Sequence, residues 1–301
     1  MTDDLRGKAD IHIHTRHSGL TKVGFLRFPD SISDPKDVVK MAEKKGLDVI
    51  CVTDHNTVRG ALEAKKYASS VEVVLGSELA TADGDLLGVF LTENMPIGLP
   101  ADETIDLIHA QGGLAIAPHP FSSRCDSLGF KILDLQLDGI EFFNAAHRDA
   151  YTNDAAQRIA GHVHSASVGG SDAHFPTMVG NAYTMFDGST AEDLRKAIVE
   201  RRTSFKGEST PLRDLVWMTT RVAAELWFML GKSMVRPLDR ETEYSSIVSD
   251  MRIVSKVVSM IGATVFLVPP TPALATFLGD QIHRSRSKSH FLRIVSASDR
   301  R

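Results

Sequence analysis

The chain has 301 residues, with 34 Lys and Arg against 38 Asp and Glu, a net charge of −4 and a hydrophobic fraction of 43%. This composition excludes a disordered or fibrous protein, and the length fits two small domains or one barrel-sized domain with an extension. Cys51 and Cys125 are the only cysteines, too few for a disulfide framework, and the acidic balance argues against stable binding along duplex nucleic acid. The first residues, MTDDLRGKADIHIH, hold no apolar signal core, so a cytoplasmic location is expected.

These averages hide two asymmetries. Ten of the 12 His lie in residues 1–174. Residues 209–301 carry 13 Lys and Arg against 8 Asp and Glu, a net of +5, which leaves −9 on residues 1–208. An acidic, His-rich unit is followed by a basic one.

In chain order, short β-rich runs are expected at 9–14, 47–54, 71–78, 86–91, 114–120, 137–144 and 165–172. Helices separate several of them. One starts at Asp34-Pro35, a cap followed by a first-turn proline, and closes at Gly46. Another covers 101–111 and stops at Gly112-Gly113, and a third follows Thr190. Alternation of this kind indicates an α/β domain.

Most of the runs end on a metal-type residue: His12 and His14, Asp54 and His55, Glu78, His119, Asn144, then Asp172 and His174. In a parallel α/β barrel the strand ends converge on one face, so these separated residues would meet in one pocket. His12 and His14 are two apart on a strand and share a face. Imidazole with carboxylate suits Zn, Mn or Fe, and a bridging carboxylate sets the spacing of a two-metal hydrolase. The chemistry that fits is phosphoester hydrolysis by hydroxide activated between metals.

The residues Asp10-Ile11-His12-Ile13-His14-Thr15, Thr53-Asp54-His55-Asn56-Thr57, Gly76-Ser77-Glu78, Pro118-His119-Pro120 and Gly170-Ser171-Asp172-Ala173-His174 resemble, in order, the motifs of the PHP (polymerase and histidinol phosphatase) family, over roughly residues 8–210. The resemblance implies a distorted (β/α)7 TIM-like barrel over 1–210, with residues 211–301 as a C-terminal α-helical extension. It implies two or three divalent metal ions, Mn, Zn or Fe. His12, His14, Glu78 and Asp172 would hold one ion, Glu78 would bridge to a second on His119, and His55 and His174 would belong to a third. The wording of the second motif is closer to the stand-alone phosphoesterase branch than to histidinol-phosphate phosphatase.

The chain departs from the family pattern at Thr15-Arg16-His17-Ser18-Gly19, where many members carry an Asp that helps bind a third ion. His17 is the candidate substitute, or the third position is weak. Arg16, His17 and Arg148 are the candidate substrate contacts, the arginines as planar forks for phosphate oxygens. His147 is a further candidate ligand. His55 or His174, if free of metal, is the candidate proton donor to the leaving group. The loop 19–34 is long enough to form a partial lid carrying Lys22 and Arg27. The competing readings are a histidinol-phosphate phosphatase and a non-catalytic metal-binding regulatory module.

Beyond residue 210 the pattern changes. Residues 212–235 read as a mostly apolar helix, and Val257 to Gly279 is a 23-residue stretch without a charge. Pro269-Pro270 and Pro272 interrupt it, giving two apolar arms joined by a turn, flanked by Arg252, Lys256, Arg284, Arg286 and Lys288. Two expectations stand for 212–279: a peripheral or monotopic contact with the cytoplasmic membrane face, or packing on the barrel or a second copy of the chain.

Overall fold

Strand β1 (Gly7–Ile13) is buried along nearly its whole length, with His12 near its end and His14 just beyond it. The computed structural model of the protein describes residues 6–23, 26–239 and 242–298. A hairpin of β2 (Leu20–Val23) and β3 (Leu26–Pro29) follows, so the expected lid segment is a β-ribbon; the side chains of Lys22 and Arg27 lie outside the described residues. Helix α1 (Pro35–Lys44) begins as expected, with the Asp34 side chain accepting from Lys36 N.

Next come β4 (Val49–Val52), α2 (Arg59–Ala64), β5 (Glu72–Ala80), β6 (Asp85–Val89), α3 (Ala101–Ala110), β7 (Leu114–Ala117), β8 (Gly139–Asn144), α4 (Tyr151–Arg158) and β9 (Ala166–Gly170). Then β10 (Ala182–Phe186), α5 (Ala191–Val199) and β11 (Ser204–Gly207) complete the α/β part. Thr190 and Asp193 form a reciprocal capping box at the start of α5.

Apart from the separate β2–β3 hairpin, the described strands form one sheet in the order β11-β10-β1-β4-β5-β6-β7-β8-β9. It curls back on itself: Gly169 N donates to Thr184 Oγ1 on β10 (3.0 Å), and Ser171 N donates to Asp10 Oδ1 on β1 (2.9 Å). The result is a nearly closed, distorted TIM-like barrel. All seven expected runs are strands, and β10 and β11 add two more.

The direction of one run differs from expectation. β6 is antiparallel to both β5 and β7. Residues 81–84 are too few for the crossover of a dozen or more residues that parallel pairing needs, so the chain makes a hairpin. That run, 86–91, is also one without a metal-type residue at its end. The parallel pairs β1–β4–β5 and β7–β8–β9 keep the other ends on one face.

Helices α6 (Leu212–Val235), α7 (Glu243–Asp250), α8 (Ile253–Leu267) and α9 (Thr271–Ser298) follow. Leu226, Leu230, Leu238, Tyr244, Val248 and Ala263 give them a small core of their own. Helix α9 also returns to the barrel, where Ile294 is buried with Phe142, Ala155 and Ile159. The prolines break the apolar stretch as expected, and α8 and α9 meet at 87°. Among the described residues no single helix is long and apolar enough to cross a membrane.

Candidate metal centre

His12 and His14 stand at the end of β1 with their Nε2 atoms 3.1 Å apart. Hydrogen bonds fix which nitrogen carries the proton. His12 Nδ1 faces Glu141 Oε1 at 3.2 Å, so it donates there. Ser18 Oγ donates to Asp54 Oδ1 (2.9 Å) and therefore accepts from His14 Nδ1 (2.8 Å). Both Nε2 lone pairs then point inward at each other. Two lone pairs at that distance repel unless a cation or a proton lies between them, so the donor set fits divalent metal.

Glu78, within β5, reaches the same point. Its Oε2 lies 3.4 Å from His12 Nε2, 3.2 Å from His14 Nε2 and 3.2 Å from His55 Nδ1, while its Oε1 lies 3.0 Å from His119 Nε2. One carboxylate thus faces two sides with different oxygens. Asp172 Oδ1 completes the ring at 3.6 Å from His12 Nε2, 3.4 Å from His14 Nε2 and 3.4 Å from His174 Nδ1.

Among the described residues these side chains form overlapping groups: His12, His14 and Asp172; His12, Glu78 and His119; and His14, Asp30, His55 and His174. All seven expected ligands are therefore brought together. His119 and Asp172 hold positive φ, +27° and +50°, a sparsely populated backbone for side-chain-bearing residues that turns them into the site. Gly170 lets β9 approach, since a Cβ there would lie 2.6 Å from both Glu141 Oε1 and His12 Cβ.

The electrostatics follow from burying both signs together. Burial by itself disfavours the charged form of every group. Against it, Asp172 and Glu78 lift His14 to a pKa of about 10, and Cys125 and Glu78 lift His119 to about 10. The histidines in turn hold Glu78 and Asp172 well below the usual carboxylate range. Protons thus occupy positions that cations would take, and metal uptake would release them.

A family model described as PHP-associated matches residues 150–203. The chain is 54% identical over 151 residues to the uncharacterized protein MJ1587 of Methanocaldococcus jannaschii, covering 50% of this chain and 88% of that one. It is 33% identical over 188 residues to MJ0417 of the same organism, covering 60% of this chain and 70% of that one. The chain belongs to the PHP domain family.

Among solved structures, PsfC from Pseudomonas syringae PB-5123 is similar at TM-score 0.49 and 20% identity, over 67% of this chain and 91% of that one. A candidate metal-dependent phosphoesterase from Bifidobacterium adolescentis is similar at TM-score 0.47 and 17% identity, over 64% and 96%.

Three features of this PHP domain differ from what the motifs alone indicate. Although the motif region lacks a carboxylate, Asp30, just past the β2–β3 ribbon, brings one to His174, His55 and His14. Its Oδ2 lies 3.0 Å from His174 Nε2, 3.6 Å from His55 Nε2 and 4.0 Å from His14 Nδ1, yet makes no aligned hydrogen bond. His17 does not take that place: its Nε2 faces Glu63 Oε2 at 2.7 Å.

The arginines are also committed elsewhere. Arg16 is held by Asp34 and Glu63, each at 2.6 Å, and Arg148 by Asp280 (3.0 Å) and the Thr210 carbonyl. A paired guanidinium is a poorer grip for phosphate than a free one, so neither is poised as expected. A cleft of about 690 Å³ opens beside this region, lined by Arg16, Ser31, Phe175, Trp217 and Arg221.

The PHP domain also contains two supporting acids, Asp54 within the second motif and Glu141 outside any motif. Asp54 is a brace and not a ligand: it accepts from Thr15 N (2.5 Å), Thr15 Oγ1 (2.7 Å) and Ser18 Oγ. Glu141 is buried and accepts from His119 N (2.8 Å) and Asn144 Nδ2 (2.9 Å) as well as facing His12. The available signal was an acid in the middle of the apolar run 137–144. Asp30 carried no spacing signal at all.

Proposed function

We propose that this protein is a metal-dependent phosphoesterase acting on a nucleotide, oligonucleotide or small phosphate ester. The observation that carries the reading is Glu78, whose two oxygens face different sides, His119 on one and His12, His14 and His55 on the other. Bridged Mn, Zn or Fe ions, when bound, would polarise the phosphoryl group and activate water for attack at phosphorus. His12, His14 and Asp172 would hold one ion, Glu78 and His119 a second, and Asp30, His55 and His174 a third.

The chain's own groups then have separate tasks. Glu141 and Ser18 fix the tautomers of His12 and His14, so that Nε2 faces inward. His174 Nδ1 is tied to the Asp172 carbonyl (3.0 Å), whereas His55 is the more open ring, with 35% of its side chain exposed against 21%. With the third position empty, His55 would therefore be the group that delivers a proton to the leaving oxygen. The test is a screen of phosphomonoesters, phosphodiesters and short oligonucleotides with added Mn. Hydrolysis that is abolished by Glu78→Gln supports the reading, and turnover that survives it refutes it.

For the C-terminal helices we infer contact with an anionic membrane surface. Ile253, Val254, Val257, Val258, Ile261 and Val265 on α8 and Leu274, Phe277, Leu278 and Ile282 on α9 are exposed, and exposed Arg252, Arg286 and Lys288 flank them. Lys256 does not contribute, being buried against the carbonyls of Ser233 and Ser249. Apolar groups bordered by cations match a bilayer interface with anionic headgroups. Co-sedimentation of the full chain with anionic vesicles, and weaker binding to neutral ones, is expected. A concentration-dependent dimer without vesicle binding would assign the surface to a second copy instead.

A further inference from the structure

Cys125 belongs to no motif of the sequence and lies six residues past His119, in the loop between β7 and β8. Its sulfur and one ring nitrogen from each of His119 and His147 lie within 4.8 Å of one another. Both histidines are almost fully buried, 2% and 3% exposed, and each retains an orphaned nitrogen: His119 Nδ1 and His147 Nε2 have no hydrogen-bond partner. A buried polar atom without a partner is costly, and such atoms in native proteins commonly mark an unseen ion or water.

The surroundings fix all three groups. His119 Nε2 is directed at Glu78, and His147 Nδ1 lies 3.7 Å from Asp149 Oδ2, leaving the opposite nitrogen of each ring free. The cysteine's backbone is pinned as well: Ser122 Oγ accepts from Arg124 N (3.0 Å) and Cys125 N (2.9 Å). The next residue back, Ser123, contacts Ser287 of α9 at 2.9 Å. Ligands of a tetrahedral zinc at about 2.0–2.3 Å stand roughly 3.5 Å apart, so a closure of about an ångström would complete the position.

We propose that Cys125, with His119 and His147, forms a sulfur-containing cation position at the edge of the metal centre, taking zinc or ferrous iron in preference to manganese. A thiolate with two imidazoles is a borderline-soft donor set, unlike the groups around Glu78 and Asp30, where a hard carboxylate joins the imidazoles, and softness favours zinc and iron over manganese. His119 stands between the two environments, so the proposal rests on the metal-centre reading above while adding a ligand of different chemistry.

The test uses the full chain, stripped of metal and titrated with cobalt(II) alone. Native protein should show a near-ultraviolet sulfur-to-cobalt charge-transfer band together with visible bands from the nitrogen and oxygen ligands. Cys125→Ser should lose the former, keep the latter and bind one fewer zinc per chain. Cys51 is fully buried among β-strand residues, so a thiolate signal reports Cys125. Alkylation of Cys125 in the native chain should also slow when zinc is added, which needs no variant. Visible bands without the charge-transfer band, or alkylation indifferent to zinc, would overturn the cysteine proposal and leave the Glu78 centre standing. No cobalt uptake at all would overturn both.

Discussion

His12 Nδ1 lies 3.2 Å from Glu141 Oε1, an acid at 1% exposure that also accepts from the backbone of His119. One carboxylate therefore orients ligands on two sides of Glu78. Replacing it by Glu141→Gln keeps the shape but weakens the hold on the His12 tautomer. Metal affinity should fall by about 10–100-fold, the range for such supporting groups, while the far-ultraviolet circular dichroism stays unchanged. Calorimetric titration of the stripped protein measures it.

Asp30→Asn removes the carboxylate shared by His14, His55 and His174. The variant should bind one ion fewer per chain by elemental analysis, with the ions on His12, Glu78 and His119 retained. His17→Ala, by contrast, should leave the metal content unchanged, because His17 is occupied with Glu63. Equal losses in both variants would overturn the assignment of the third position to Asp30 in place of His17.

Stability should depend on pH in opposite senses with and without metal. In the stripped chain, His14 and His119 are raised from 6.5 to about 10 by neighbouring acids. A raised folded-state value means that their stabilisation is complete below pH 6.5 and is lost as pH rises toward 10. Glu78 and Asp172 are lowered well below 4.5 and 3.8, so their contribution holds above those values and is lost in acid. The stripped chain should thus be most stable between about pH 4.5 and 6.5. With zinc bound, Tm should instead rise from pH 6.5 toward 9, because the metal competes with those protons. Paired thermal melts with chelator and with zinc decide it.

Gly60 sits where a Cβ would fall 1.8 Å from Asp54 Oδ2 and 2.3 Å from Thr15 Oγ1. Gly60→Ala should displace Asp54, loosen Ser18 and through it His14. A loss of about 1–3 kcal/mol is expected from overpacking alone, read from urea unfolding, with a matching drop in metal affinity.

The division between sequence and fold can be traced residue by residue. His12 and His14 were legible because two-residue spacing on a strand puts both on one face. Glu78, His119, Asp172 and His174 were legible because each closes an apolar run, and parallel strands align their ends. The proline break between α8 and α9 was legible because proline lacks the amide a helix needs. Those are local rules, and the sequence by itself determines them.

The tertiary structure decided what depends on distance through space. Asp30 reaches His174 only because the chain returns from the β2–β3 ribbon to the strand ends of the barrel, and Arg148 meets Asp280 only because α9 returns to the barrel. Arg16 looked free until Asp34 and Glu63 closed on it from either side. Strand ends announce themselves by periodicity, but a loop side chain has no periodicity. Its role is set by packing between segments far apart in the chain, which no local pattern encodes.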